Sequence, residues 1–143
     1  MTVDGNGLEI LSRARCLALL ATRPVGGVAL TRNALPTILP VTYCLLGEDV
    51  VFATAAGSKY LAVPRQTVIA FEVDDVDPVS RSGWSVLAVG MASHLDEGDP
   101  DWEAAMALDL HPWVGRGATR LIRLPTDHLS GRRMTGRPLA VGA

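Results

Sequence analysis

A mainly β fold with peripheral helices, built as a six-stranded antiparallel barrel, is predicted by three observations. Six short apolar runs are rich in Val, Ile, Leu and Thr, most connections between them are too short for parallel crossovers, and helical periodicity appears in only three places. A doubly wound sheet would need a helix after almost every strand, and this chain has too few. At 143 residues and 15.2 kDa, with no repeat or dividing linker, residues 1–143 read as one domain.

The elements follow in order. "LEILSRARCLALLA", residues 8–21, places Leu8, Leu11, Arg15 and Leu19 at helical spacing, so a first helix is expected to end before Arg23-Pro24. Strands are then expected over 26–31, 36–46, 48–54, 67–74, 84–95 and 118–125, with tight links such as "RNAL" and "GED". A short helix over 58–65 should separate the third and fourth strands. Another over 99–110, started by Asp99-Pro100 with acidic residues in its first turn, should separate the fifth and sixth. The tail after Arg137 is small and apolar and receives no element.

Composition removes several classes of function. A net charge of -2 and a pI near 5.9 argue against a nucleic-acid binder that neutralises many phosphates. The longest apolar stretches fall well short of the ~20 residues that span a bilayer, so no membrane role is expected. "MTVDGNGLEILSRAR" lacks the order of a secretory signal, which makes a cytoplasmic home the expectation. Cys16 and Cys44 lie in apolar surroundings and read as small buried hydrophobes, not as a disulfide framework. His94, His111 and His128 stand alone without ligand spacing, so no metal site is expected.

Familiar catalytic signatures are absent. The order Gly57-Ser58-Lys59 is not a Walker phosphate loop, and "GNGLEI" and "GRGATR" both lack the third glycine of a dinucleotide fingerprint. "GWSVL" begins like a nucleophile elbow but runs on as a strand, which disfavours Ser85 as an acyl nucleophile. No general acid or base stands out.

One stretch does suggest chemistry. "TAAGSK", residues 54–59, follows a strand, contains the only lysine among 13 basic residues, and leads into the short helix expected next. A glycine turn that exposes amides, two hydroxyls and a compact rotatable ammonium together suit an anion such as a phosphate monoester. Lys59 is equally well read as a solvated helix start, and the stretch alone does not choose.

The wider order of motifs is more telling. "LPVTY", "FATAAGSK", "VIAFEVDDVDPVSRSGWSVLAVGMA", "HPWVGRGATRLIRLP" and "LSGRR" together resemble the pyridoxamine 5'-phosphate oxidase-like family of FMN-binding split-barrel proteins. The resemblance runs from about Leu11 to Met134, and "DDVDPVSRSGWSVLAVG" is its most specific part. It implies a split-barrel version of the fold, a homodimer, and FMN in a cleft between the subunits.

Carried onto this chain, the resemblance implies that Pro40, Val41 and Thr42 run along the flavin ring and that Thr54, Ser58 and Lys59 hold the ribityl phosphate. Trp84 and Ser85 would approach the flavin from the partner chain, Arg132 would belong to a region that closes over the cofactor, and Trp113 could wall the substrate side or simply pack. The chain also departs from true pyridoxamine phosphate oxidases. Trp84, Ser85 and Leu87 replace basic residues and a glutamine, the chain ends in "TGRPLAVGA" instead of a basic, histidine-containing segment, and Thr42 replaces an asparagine common in close relatives. The expected function is therefore an FMN-dependent oxidoreductase on a small organic substrate, not the vitamin-forming reaction. A deazaflavin-dependent reductase, or a flavin- or haem-binding module without turnover, are the alternatives. A subunit interface is expected on physical grounds too, since 48% of residues are hydrophobic and only 20% charged.

Overall fold

The computed structural model describes residues 1–55, 63–110 and 119–136. Its elements are β1 Thr2–Val3, β2 Glu9–Ile10, α1 Arg13–Leu20, β3 Val25–Arg32, β4 Leu35–Leu46, β5 Asp49–Ala55, β6 Gln66–Asp77, β7 Ser82–Leu95, α2 Trp102–Met106, β8 Thr119–Leu124 and β9 His128–Thr135. The sheet order is β1-β2-β9-β7-β6-β3-β4-β5-β8, and a further β7–β8 pairing closes strands β3 to β8 into a six-stranded antiparallel barrel. All six expected strands are the barrel strands.

Closure depends on β7. One edge pairs with β6 from Asp77↔Ser82 to Gln66↔Ser93. The other edge changes neighbour: Ser82 to Val89 pair with β9, whereas Ser93 to Leu95 pair with β8. Gly90 sits at the changeover, where an added Cβ would lie 3.5 Å from Leu124 Cδ1 and from the Pro125 carbonyl. The β3–β4 hairpin turns on Asn33 and Ala34, both left-handed at φ 51° and 63°, as a two-residue loop that follows the sheet twist requires.

Inward residues alternate with outward ones, so Val28, Leu30, Val41, Tyr43, Phe52, Phe71, Val86 and Ile122 fill the interior. Tyr43 and Phe71 meet edge to face, with ring centroids 4.8 Å apart. A second cluster lies outside the barrel wall, where Ala105 and Leu110 cover Val51, Ala53, Leu95 and Leu121, with Trp102 packed at its edge. Arg123 clamps this region: it pairs with Asp49 and Asp101 at 2.8 Å each and approaches Asp99 at 4.0 Å.

The elements outside the six barrel strands differ from the sequence expectation. The first helix spans only Arg13–Leu20, because Ser12 caps it by accepting the Arg15 N–H at 3.2 Å. Glu9 and Ile10 are instead paired with β9, which recruits Leu11 as well through its N–H to the Gly131 carbonyl. The second helix covers Trp102–Met106 instead of 99–110; Asp99 side-chain oxygen accepts the Asp101 N–H and holds the preceding residues in a turn. The helix expected over 58–65 lies outside the described residues except for 63–65, which are not helical. Strand β9 was not expected at all. Among the described residues no helix is long and apolar enough to cross a membrane.

Candidate functional site

Strand β4 carries the first expected contacts, and its pairing explains why they can face a ligand. Residues Leu35 to Thr42 pair with β3, whereas the ladder to β5 begins only at Tyr43. Over 35–42 the strand therefore has a ladder partner on one edge alone among the described residues. The Tyr43 N–H donates to the Pro24 carbonyl at 3.2 Å, so alternation turns the Thr42 backbone toward the opposite edge. Side chains alternate as well. Val41 is buried in the core, so only its backbone is available to a ligand, while Pro40 is exposed and Thr42 half-buried on the outward face.

Thr42 borders a cavity of about 490 Å³ between β4 and the segment leaving α1. Leu20, Pro24 and Leu45 supply apolar wall, and Thr22, Arg23 and Asp109 bring polar groups to the same space. Apolar walls with a few convergent polar groups are the usual make-up of a small-molecule site, and the volume falls within the range such sites span. The sequence reading did not single out Arg23 or Asp109. Arg23 was visible only as the residue before a proline, and Asp109 only as a helix end.

The cavity's other titratable groups are held protonated. Burial pushes the Tyr43 phenol up to about 12, with Arg23 opposing weakly, and the O–H donates to the Leu20 carbonyl. Burial, and then the Asp109 charge, raise the Cys44 thiol. Neither group offers an anion at neutral pH, which disfavours nucleophilic chemistry here. Cys16 is buried and its thiol is raised by burial as well, whereas Cys44 is only half-buried. No metal-binding group of three His, Cys, Asp or Glu residues exists among the described residues. His94 holds its Nε2 2.7 Å from the Val63 carbonyl, and His128 is exposed on β9.

The remaining expected residues are spread out. Thr54 is buried near the end of β5, paired with Arg120 of β8, immediately before residues 56–62. Ser58, Lys59 and Trp113 lie outside the described residues. Trp84 and Ser85 point to opposite faces of β7. Trp84 packs against the core on the α1 side, while Ser85 looks outward directly opposite Arg132. The Arg132 guanidinium is occupied by Asp4 at 2.9 Å and by the Gly131 carbonyl at 3.0 Å.

Cross-strand register assembles the outward face on which these residues sit. One row reads Pro40, Gly27, Glu72, Leu87 and Ser130 across β4, β3, β6, β7 and β9. The next reads Ile38, Ala29, Ala70, Val89 and His128. Ile38 is 75% exposed, Val68 60% and Met91 52%, so the face is apolar and open. Thr42 and Ser85 share it but stand three strands apart, about 14 Å at the usual strand spacing of roughly 4.8 Å.

Comparison with known proteins fits this architecture. The sequence profile of the pyridoxamine 5'-phosphate oxidase family matches residues 12–133. An uncharacterised Mycobacterium tuberculosis protein, Rv0080, is 33% identical over 129 residues, covering 87% of this chain and 84% of its own length. An FAD binding protein from Mycobacterium smegmatis superposes with a TM-score of 0.73 at 28% identity, covering 88% of this chain and 97% of that one. An FAD and heme binding protein from the same organism shares the fold at a TM-score of 0.71 and 22% identity, over 90% of this chain and 74% of that one. With most of its length matched, closed barrel included, the chain belongs to the pyridoxamine 5'-phosphate oxidase family.

Proposed function

We propose that the protein is an FMN-dependent oxidoreductase that works as a homodimer on a small organic substrate. The observation that carries this reading is the cavity beside Thr42, set against the part of β4 that has a strand partner on one edge only among the described residues, in a fold whose 28%-identical relative is described as FAD-binding. The residues fit such a group: an apolar wall from Pro24 and Leu45 suits a planar ring, and the Thr42 hydroxyl with the backbone of 40–42 suits its polar edge. Bound flavin supplies the hydride or electron chemistry. The chain's part is to orient it through Pro40, Val41 and Thr42 and to hold its phosphate through the hydroxyls of Thr54 and Ser58 and the charge of Lys59. Tyr43 and Cys44, both protonated, bring no negative charge of their own to the cavity.

The outward face supports the dimer in this reading. An apolar surface holding Ile38, Val68, Leu87, Val89 and Met91 is costly to leave in water, and a second copy would cover it. Ser85 and Arg132 are three and four strands from Thr42, too far to clasp the same ring within one protomer. In a two-fold pair the partner would bring its own copies of both residues to the Thr42 side.

A purified sample should be yellow with oxidised flavin bands, and mass analysis of the ligand released on denaturation should give FMN. Ser58→Ala with Lys59→Ala should lose the colour. A colourless protein that gives no calorimetric heat with FMN overturns the proposal. The 28%-identical FAD-binding relative favours a second reading, a protein that holds FAD without turnover. Released FAD, with no reoxidation or hydride transfer over a broad substrate panel, would establish it, and selective titration by a deazaflavin coenzyme would point instead to a reductase of that type.

A further inference from the structure

On the side of β7 opposite Ser85, a second recess of about 320 Å³ lies between α1 and the β7–β9 ladder. Its apolar walls are Leu11 and Leu19, one side is the half-buried indole of Trp84, and Ser82 stands at its rim. Two arginines line it, Arg15 from α1 and Arg133 from β9. Cross-strand pairing fixes Arg133 directly opposite Trp84. The Thr42 cavity shares no lining residue with this space: the recess runs from Leu11 along α1 to Leu19, whereas the cavity is lined from Leu20 onward by the segment leaving the helix.

The charges around the recess define what it can take. Arg133 lies 3.7 Å from Glu9, which offsets part of its charge. Among the described residues Arg15 makes no ion pair. Of the acids across from the recess on β6, Asp75, opposite Trp84, lies 3.6 Å from Arg23, and Asp77, opposite Ser82, accepts the Val79 N–H, so among the described residues Arg15 is the cation of the recess without an acid partner, and its planar fork matches a carboxylate. An aromatic face beside the forks favours a flat apolar body over a compact inorganic ion. We propose that this recess binds a small aromatic monocarboxylate, with the carboxylate on Arg15 and Arg133 and the ring against Trp84.

Benzoate is the probe, with benzamide as its uncharged counterpart. Calorimetry on the full-length protein should show benzoate binding, no comparable benzamide binding, and weaker binding than benzoate by inorganic phosphate. Arg15→Gln and Arg133→Gln should each weaken benzoate at least about fivefold, as loss of one charge-assisted contact at a partly exposed site implies. Arg15→Lys should retain more affinity than Arg15→Gln, which separates lost charge from misfolding; thermal melts of each variant check the fold. Trp84→Phe should remove most of the fluorescence change on binding. Equal binding of benzoate and benzamide, or unchanged benzoate affinity in the double Gln variant, overturns the proposal. So does competition between benzoate and saturating FMN, since the two spaces are separate. Flavin binding itself is read by colour, so failure of that reading leaves this test intact.

Discussion

Gly131 is a position where the absence of one carbon matters. A Cβ there would stand 2.6 Å from Cys16 Sγ, 3.1 Å from Leu11 Cδ1 and 3.2 Å from the Ser85 carbonyl. Gly131→Ala should therefore lower unfolding free energy by about 1–3 kcal/mol, as overpacking does, and Cys16→Ala in the same chain should recover part of it in urea titrations. Glu72 is the other residue with a measurable signature. Burial, then the side-chain hydrogen bond and charge of Asp74, raise its carboxyl from 4.5 to about 7. The groups facing it from neighbouring strands are uncharged: Gly27 on β3, Leu87 and Ser85 on β7, and Ser130 on β9, with Arg132 and His128 farther off. A raised value means that the folded state holds the proton more tightly, so its contribution is complete below pH 4.5 and is lost as pH rises to about 7. Denaturation at pH 5, 6, 7 and 8 should show stability falling over that window, and Glu72→Gln should flatten the fall and gain about 1–2 kcal/mol at pH 8. Asp4 and Asp77 act in the opposite sense: backbone hydrogen bonds lower both carboxyls, so their contribution is lost only below pH 4.

At the scale of elements, α1 owes its start to a hydroxyl. Ser12→Ala removes the acceptor for the Arg15 N–H and should cost about 1 kcal/mol in the same titrations, with little loss of sheet signal in circular dichroism. The barrel strands were legible in sequence because each carries an apolar run bounded by turn residues, as "VIAFEV" and "LIRL" do. Strand β9 was not, because "HLSGRRMT" has the composition of a loop: a glycine, two arginines and little apolar alternation. It is a strand because β7 offers it an edge over eight residues and because Gly131 lets α1 lie on it. The same tertiary demand took Glu9 and Ile10 from the apparent helix. Of the cavity's lining, Thr42 was singled out in sequence through a motif, and elsewhere Ser85 meets Arg132 as a cross-strand pair. The face that Trp84 turns away from Ser85 follows only from strand alternation, and Arg23 and Asp109 only from folding back of distant segments.

At the scale of the molecule, an apolar outer wall predicts assembly. Met91 is half-exposed on that wall, so Met91→Glu should leave the monomer's stability within about 0.5 kcal/mol of the parent while light scattering reports loss of the proposed dimer. An unchanged dimer mass would place the interface elsewhere. The changeover along β7 shapes how the molecule comes apart. Past Gly90 the strand is locked into a closed ring, but before it β9 and its small companions β1 and β2 hang on as an appendix whose outermost strand, β1, has no further strand partner among the described residues. Since α1 rests on Gly131 of that appendix, peeling it away would also uncork the barrel's mouth and wet Cys16, giving a partial opening that leaves the ring itself intact.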